Sequence, residues 1–235
     1  TTAVPTTTTT TTPDQAAPDI NGHNTTYNYP SSSTFTSLVK NIPIKAGWNM
    51  LSLPYEATPI NTAISRFAGL FGIDESIYLP HMYWYKSSIN SYEDQYTSAS
   101  PVGLGASTFV LSEKDRVADA SDNLERIQTL STTQAHAFEI PLNASAWTMV
   151  GNPYSTTISY DDSHIFVKIG NRIASISDAI SAGIVTQAYA INSATNNYLI
   201  VSPSDTLSKY QGFWIRTNQP DTKLLIAPVS LTLSN

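Results

Sequence analysis

The feature that most constrains the fold is that the chain repeats itself. Ile42-Pro43-Ile44-Lys45-Ala46-Gly47-Trp48-Asn49-Met50-Leu51-Ser52-Leu53-Pro54-Tyr55 returns as Ile140-Pro141-Leu142-Asn143-Ala144-Ser145-Ala146-Trp147-Thr148-Met149-Val150-Gly151-Asn152-Pro153-Tyr154. The pairs Trp48 and Trp147, Met50 and Met149, Pro54 and Pro153, and Tyr55 and Tyr154 are each 99 residues apart. Two later segments recur in the same order. Met82-Tyr83-Trp84-Tyr85 with Tyr92 is followed by Ala188-Tyr189-Ala190-Ile191 with Tyr198, and Thr108 to Ser112 by Phe213 to Thr217. Self-similarity at a fixed period means that one structural unit is built twice.

Each copy reads as strand, short helix, hairpin, strand. Alternating apolar residues over 42–53 mark a strand that Pro54 closes. Thr58-Pro59 opens a short helix to Leu70, matched by Ser175 to Ala182 with Gly183 as its stop. Strands 77–85 and 92–97 flank a turn at 87–91, matched by the turn at Asn192 to Asn197. The chain is expected to close with strands at 223–227 and 229–233. The predicted fold is mainly β: two homologous β-sandwich-like repeats, each with one short helix, preceded by an extended Thr-rich tail. The boundaries are 1–34 for the tail, 35–130 for the first repeat with its charged connector, and 131–235 for the second. Copies of this size are near the limit at which one core suffices, which favours two units packed together.

The Gly-Trp-Asn-Met-Leu-Ser-Leu-Pro stretch at 47–54 and the Trp-Thr-Met-Val-Gly-Asn-Pro-Tyr stretch at 147–154 resemble the "GWNLISLP" and "GWNLIGNPY" tandem repeat modules of secreted and cell-surface prokaryotic proteins. Gly212-Phe213-Trp214-Ile215 is similar to the "GYW" or "GFW" strand that follows in those modules. Ser107-Thr108-Phe109 departs from that element in the first copy, and Ala146 replaces the motif's first glycine in the second. The resemblance implies an extracellular β module. It carries over no catalytic residue.

Composition excludes several functions. A net charge of −6 with no clustered Lys or Arg argues against nucleic acid, whose recognition depends on displacing counterions. Zero cysteines leave no disulfide, thiolate ligand or thiol nucleophile. Only 13% of residues are charged, and polarity comes from Ser, Thr, Asn and Tyr, which suits an extracellular setting. No run is long and apolar enough for a membrane helix.

Candidate sites are few. His23, His81, His136 and His164 have no ligand spacing, and Asp161-Asp162-Ser163-His164 reads as a turn rather than a Ca²⁺ loop. Connector acids Asp115, Asp119 and Asp122 read as solvated. Gly-x-Ser-x-Gly is absent, and the adjacent acids Glu93 and Asp94 would face opposite sides of a strand. We therefore expect no catalytic residue, metal or cofactor, and no enzyme. Trp48 and Trp147 are expected in the core. Trp84 and Trp214 are candidates for stacking on glycans, and Asn24 and Asn143 lie in Asn-x-Ser/Thr glycosylation sequons.

The tail holds an unbroken tract, Thr6, Thr7, Thr8, Thr9, Thr10, Thr11 and Thr12. By composition it is a linker, yet β-branched Thr forms a good strand once it has a partner. The expected function is a secreted structural subunit of an extracellular cell-surface assembly. The sharpest form is a filament in which the tail pairs with a neighbouring copy by donating a strand. The alternative is a carbohydrate-binding or adhesive module on a Thr-rich linker.

Overall fold

The structure is a computed structural model, and it describes residues 42–52, 82–94, 105–118, 137–154 and 156–233. The tail and the 58–70 helix expected from sequence, and the strand-like stretch Phe35 to Val39 of the sequence, lie outside the described residues. Within them the protein is mainly β, with several sheets and one short helix.

The first repeat contributes β1 (Ile42–Ile44), β2 (Gly47–Ser52), β3 (Met82–Lys86), β4 (Ser91–Asp94), β5 (Ser107–Ser112) and β6 (Arg116–Ala118). The second contributes β7 (Phe138–Pro141), β8 (Trp147–Gly151), β9 (Ile158–Tyr160), β10 (Ile165–Ile169), β11 (Arg172–Ser175), the helix α1 (Ile176–Ser181), β12 (Ala188–Asn192), β13 (Asn197–Val201), β14 (Asp205–Leu207), β15 (Gly212–Arg216) and β16 (Thr222–Ile226). Three four-stranded antiparallel sheets carry the body, ordered β2-β5-β3-β4, β13-β12-β15-β8 and β11-β10-β16-β7. The first belongs to the first repeat and the other two to the second. Two small pairs, β1 with β6 and β9 with β14, are the other sheets among the described residues.

The sheet β13-β12-β15-β8 lies in the middle, and alternation along its strands serves two cores at once. Val150, Phe213, Ile215, Ala188 and Ala190 pack against Ile165, Val167, Leu224 and Ile226 of one neighbouring sheet. Trp147, Met149 and Trp214 face the other way and meet Met50, Tyr85 and Phe109. A third cluster on the far side of β10, β11 and β16 buries Phe166, Ile173 and Leu225 under Leu231 and Leu233.

Corresponding residues of the two repeats occupy corresponding places. Met50 lies opposite Phe109 in one ladder, and Met149 lies opposite Trp214 in the other. Leu51 bridges Gln211, and its counterpart Val150 bridges Ala106. Each repeat thus lays the end of its Trp-bearing strand against the chain that enters the other repeat's aromatic strand.

Those reciprocal crossings explain why small residues stand where they do. A Cβ on Gly151 would come within 2.5 Å of Cβ of Ser52, its own counterpart in the first repeat, and 2.8 Å from the Gln211 carbonyl. A Cβ on Gly212 would collide with Oγ of Ser107, again its counterpart, and approach Cγ of Met50 to 2.6 Å. One member of each pair can carry a side chain only if the other is glycine. Ser107 therefore departs from the glycine-aromatic pattern because Gly212 makes room for it.

Several local expectations change. The single strand expected over 42–53 is broken in two, because the Asn49 side chain folds the chain back on itself. Its Oδ1 accepts from Lys45 N at 2.9 Å and its Nδ2 donates to the Lys45 carbonyl at 2.8 Å, with Gly47 at φ +97°. Thr148 does the same in the second repeat, accepting from Asn143 N at 2.9 Å. Part of the charged connector is a strand, since Arg116–Ala118 pairs with β1. The final strand expected at 229–233 is not formed. Pro228 supplies no ladder donor, and the segment is held by Leu231 N donating to the Ser163 carbonyl at 2.8 Å and by its leucines. The second-repeat helix is present, capped by Ser175 Oγ accepting from Asp178 N at 3.2 Å and followed by Gly183 at φ +67°.

Gly151→Ala should destabilise the protein by about 2 kcal/mol, because both colliding groups are held in place. Adding Ser52→Gly should restore part of that loss in a double-mutant cycle read by urea unfolding, since the Ser52 contact is removed while the Gln211 carbonyl remains.

Candidate functional site

The densest chemistry in the molecule lies between the sheets β2-β5-β3-β4 and β13-β12-β15-β8. Trp214 is fully buried at its centre. Its ring meets Tyr85 at 4.9 Å between centroids, Phe109 at 6.2 Å, Tyr92 at 6.3 Å and Trp147 at 6.4 Å. Most of these pairs are edge-to-face or tilted, the arrangement that ring quadrupoles favour. Trp48 extends the cluster through Tyr83 at 5.8 Å, and Trp147 extends it through Tyr189 at 5.7 Å.

Polar groups converge in the same layer. The hydroxyls of Tyr92 and Tyr198, counterparts in the two repeats, are close enough to influence each other's ionisation, and Tyr198 also approaches the Trp214 indole. None of these three groups forms a hydrogen bond of good geometry among the described residues. Burial raises the Tyr92 hydroxyl far above its ordinary value, and the neighbouring Tyr198 and Tyr85 add to the effect. Burial likewise raises Tyr198, although its contacts to Tyr92 and Trp214 oppose the shift. Tyr85 is raised by burial against the lowering influence of Arg216, and its hydroxyl bonds Asn90 Oδ1. Tyrosines kept neutral in this way act as packing groups, and of the three Tyr85 also bonds Asn90.

Trp214, a candidate for glycan stacking, is thereby corrected to a core residue: with no exposed ring face it cannot lie against a sugar. Trp147 is 8% exposed and Trp48 is half-buried against the same cluster. The backbone of Trp84 lies in β3 opposite Glu93, and its side chain lies outside the described residues.

Asn152, whose place before Pro153 by sequence suits a turn, is a buried fastener. Its Nδ2 donates to the carbonyls of Thr156, Leu207 and Ser208 at 2.7, 3.2 and 3.1 Å, while its Oδ1 accepts from Tyr154 N at 2.9 Å. Tyr154 then donates its hydroxyl to the Ile226 carbonyl at 3.0 Å. The motif Asn-Pro-Tyr thus ties β8 to the β14 loop and to β16. Only the Asn-Pro pair in the sequence hinted at this role.

The charged candidates are structural in their surroundings. Asp161 Oδ1 accepts from Ser163 N at 2.9 Å, Ser163 Oγ at 2.8 Å and His164 Nδ1 at 2.8 Å, which closes a turn. Burial would raise the Asp161 carboxyl, but these donors hold it below its ordinary value. Asp162 Oδ1 accepts from Ser177 N at 2.8 Å near the start of α1. Asp115 is exposed and accepts from Lys45 Nζ at 2.8 Å and Ala46 N at 2.9 Å. Asp119, Asp122, His23, His81, His136, Asn24 and Thr6 to Thr12 lie outside the described residues. Asn143 is exposed in the turn before β8, so its side chain is accessible for modification. Among the described residues there is no group of three or more His, Cys, Asp and Glu that could hold a metal ion.

Sequence reasoning missed one ionic cluster. Lys168 and Lys223 lie opposite each other across β10 and β16 and would repel. Glu139 from β7 resolves this, with Oε1 2.8 Å from Lys168 Nζ and Oε2 2.6 Å from Lys223 Nζ. Burial would raise the Glu139 carboxyl, but the two lysines outweigh it and hold the group below its ordinary value. The three residues are far apart in sequence, so only pairing in the sheet brings them together.

No protein family, characterised protein or solved structure matches this chain. No helix among the described residues is long and apolar enough to cross a membrane, which says nothing of a β-barrel.

The shifted groups set a pH dependence at both ends. Glu139 titrates below its unfolded value of about 4.3, so its contribution is complete above that pH and is lost as the pH falls through the folded value. Glu139→Gln should cost about 1 to 2 kcal/mol at pH 7, allowing for the screening of half-exposed Lys223, and the difference from wild type should shrink below about pH 4. Tyr92, Tyr154, Tyr160 and Tyr210 are raised, so their contribution is complete below the unfolded value of about 10 and is lost as the pH rises further. Absorbance titration should show these tyrosines ionising together with alkaline unfolding rather than one by one near pH 10.

Proposed function

We propose that the protein is a secreted structural subunit of an extracellular cell-surface assembly. In this reading it forms a filament in which the N-terminal tail, including Thr6 to Thr12, pairs with a neighbouring subunit. The body is a rigid support for that tail and performs no catalysis. The observation that carries the reading is the fate of the repeated residues. Trp147, Met50, Met149, Gly151, Asn152, Tyr154, Gly212 and Trp214 are all buried and spent on holding sheets together. A chain whose most distinctive residues are interior offers its neighbours a stiff, sparsely charged scaffold. The strand-competent tail, whose Thr6–Thr12 tract is uncharged, precedes that scaffold in the sequence.

The carbohydrate-binding alternative is weakened by the burial of Trp214, since a sugar stacks only on an accessible ring face. Low charge and the accessible sequon at Asn143 support an extracellular setting in which the subunit is a glycoprotein.

Electron microscopy of the full chain beside a variant lacking residues 1–40 tests the reading. Filaments are expected from the full chain, and folded, dispersed monomers from the truncated one. Filaments of equal length from both would overturn it.

A further inference from the structure

Among the described residues the three four-stranded sheets have six edges, and all but one carry a device that discourages pairing. Edge strands offer unpaired N–H and C=O groups, and proteins blunt them with charge, proline or cover. β4 carries Glu93 and Asp94, β11 carries Arg172, and β7 carries Glu139 and Pro141. The free sides of β2 and β8 are crossed by the Leu51–Gln211 and Val150–Ala106 bridges. The exception is β13, Asn197-Tyr198-Leu199-Ile200-Val201. It has no charge, no proline and no bulge in its register with β12, and among the described residues it pairs with β12 alone.

Its side chains point the same way as its backbone. Leu199 is 52% exposed and Ile200 is 50% exposed, and as neighbours in a strand they stand on opposite faces of the sheet. Each continues a core already described. Ile200 lies opposite Tyr189, on the aromatic side, while Leu199 lies opposite Ala190, on the side packed against β10 and β16. The other two exposed large apolar side chains among the described residues, Ile89 and Val117, stand singly. Both cores therefore run out at the same edge, and a single added strand would cover both.

We infer that the outer edge of β13 is the acceptor for the Thr6–Thr12 strand of a second copy of this chain. This rests on the filament reading above. The tract has the chemistry the edge requires. It is neutral, like β13, so pairing desolvates no charge, and its alternating threonines would set methyl groups over Leu199 on one face and Ile200 on the other. The lengths agree as well. Seven extended residues span roughly 24 Å, enough to run the full length of a five-residue strand of roughly 17 Å.

The absence of native cysteine makes the contact testable by disulfide trapping in the full chain. Ile200→Cys is combined in turn with Thr7→Cys, Thr9→Cys and Thr11→Cys, since a bond forms only where the Cα atoms lie within about 7 Å. Mild oxidation of assembled material should give a covalent ladder of subunits from at least one pair. Leu199→Lys and Ile200→Lys, each checked for unchanged circular dichroism and melting, should raise the concentration needed for assembly roughly tenfold or more, because each sets a charge where the added strand must lie. Filaments that need the tail but form normally from both lysine variants, with no ladder, would overturn the β13 assignment and leave the filament reading standing. A covalent dimer from Ile200→Cys alone would also overturn it, by showing that two β13 edges pair with each other. Filaments that form without the tail would overturn both readings.

Discussion

The structure depends on the close crossing of two strand ends at Gly151 and Gly212. Where β8 ends, the chain passes so near Ser52 that no second side chain fits, and the entry to β15 is equally close to Ser107. These approaches set the spacing between the sheets β2-β5-β3-β4 and β13-β12-β15-β8. That spacing is what permits Trp214 to sit fully buried against Tyr85, Phe109 and Trp147. If either crossing were wider, the aromatic layer would lose contact along its length, because dispersion falls steeply with separation.

From that layer the remaining order follows outward. The middle sheet is apolar on both faces, so it must be covered twice, and the sheet of β7, β10, β11 and β16 provides the second cover. Asn152 and Tyr154 then fasten the middle sheet to its neighbours with hydrogen bonds made where water is excluded and an unmade bond would be costly. Glu139 performs the analogous task on the outer sheet, neutralising two lysines that the strand register forces together. Charge is scarce in this molecule, and here it is used to reconcile neighbours in a ladder.

The proposed role follows from how little of this chemistry reaches the surface. Aromatic rings and hydrogen-bonding tyrosines that could recognise a ligand are consumed in packing, and the clearest unfinished structure is a strand edge. An edge with apolar groups on both faces is completed by another strand, and the neutral, β-branched Thr6–Thr12 tract is the part of this chain proposed to supply one.

The sequence by itself determined the β class, the helix after Ser175, the burial of Trp147 and the hairpins, whose turns expected at 87–91 and 192–197 fall at 87–90 and 193–196, because each is written in local periodicity, turn residues and large apolar side chains. It did not reveal that Asn49 breaks the first strand, that Arg116–Ala118 pairs with β1, or that 229–233 forms no strand. The β6 pairing depends on which partner that segment finds, while the other two rest on the Asn49 side-chain bonds to Lys45 and on Pro228 with the Leu231 anchor, none of which alternation reports. Trp214 shows the limit most clearly. An aromatic residue in an alternating strand must face one side, but only the arrival of the first repeat's sheet on that side made it core rather than surface. The Glu139 cluster and the crossings at Gly151 and Gly212 were likewise decided by tertiary structure, since they join residues whose proximity exists only after the sheets have formed.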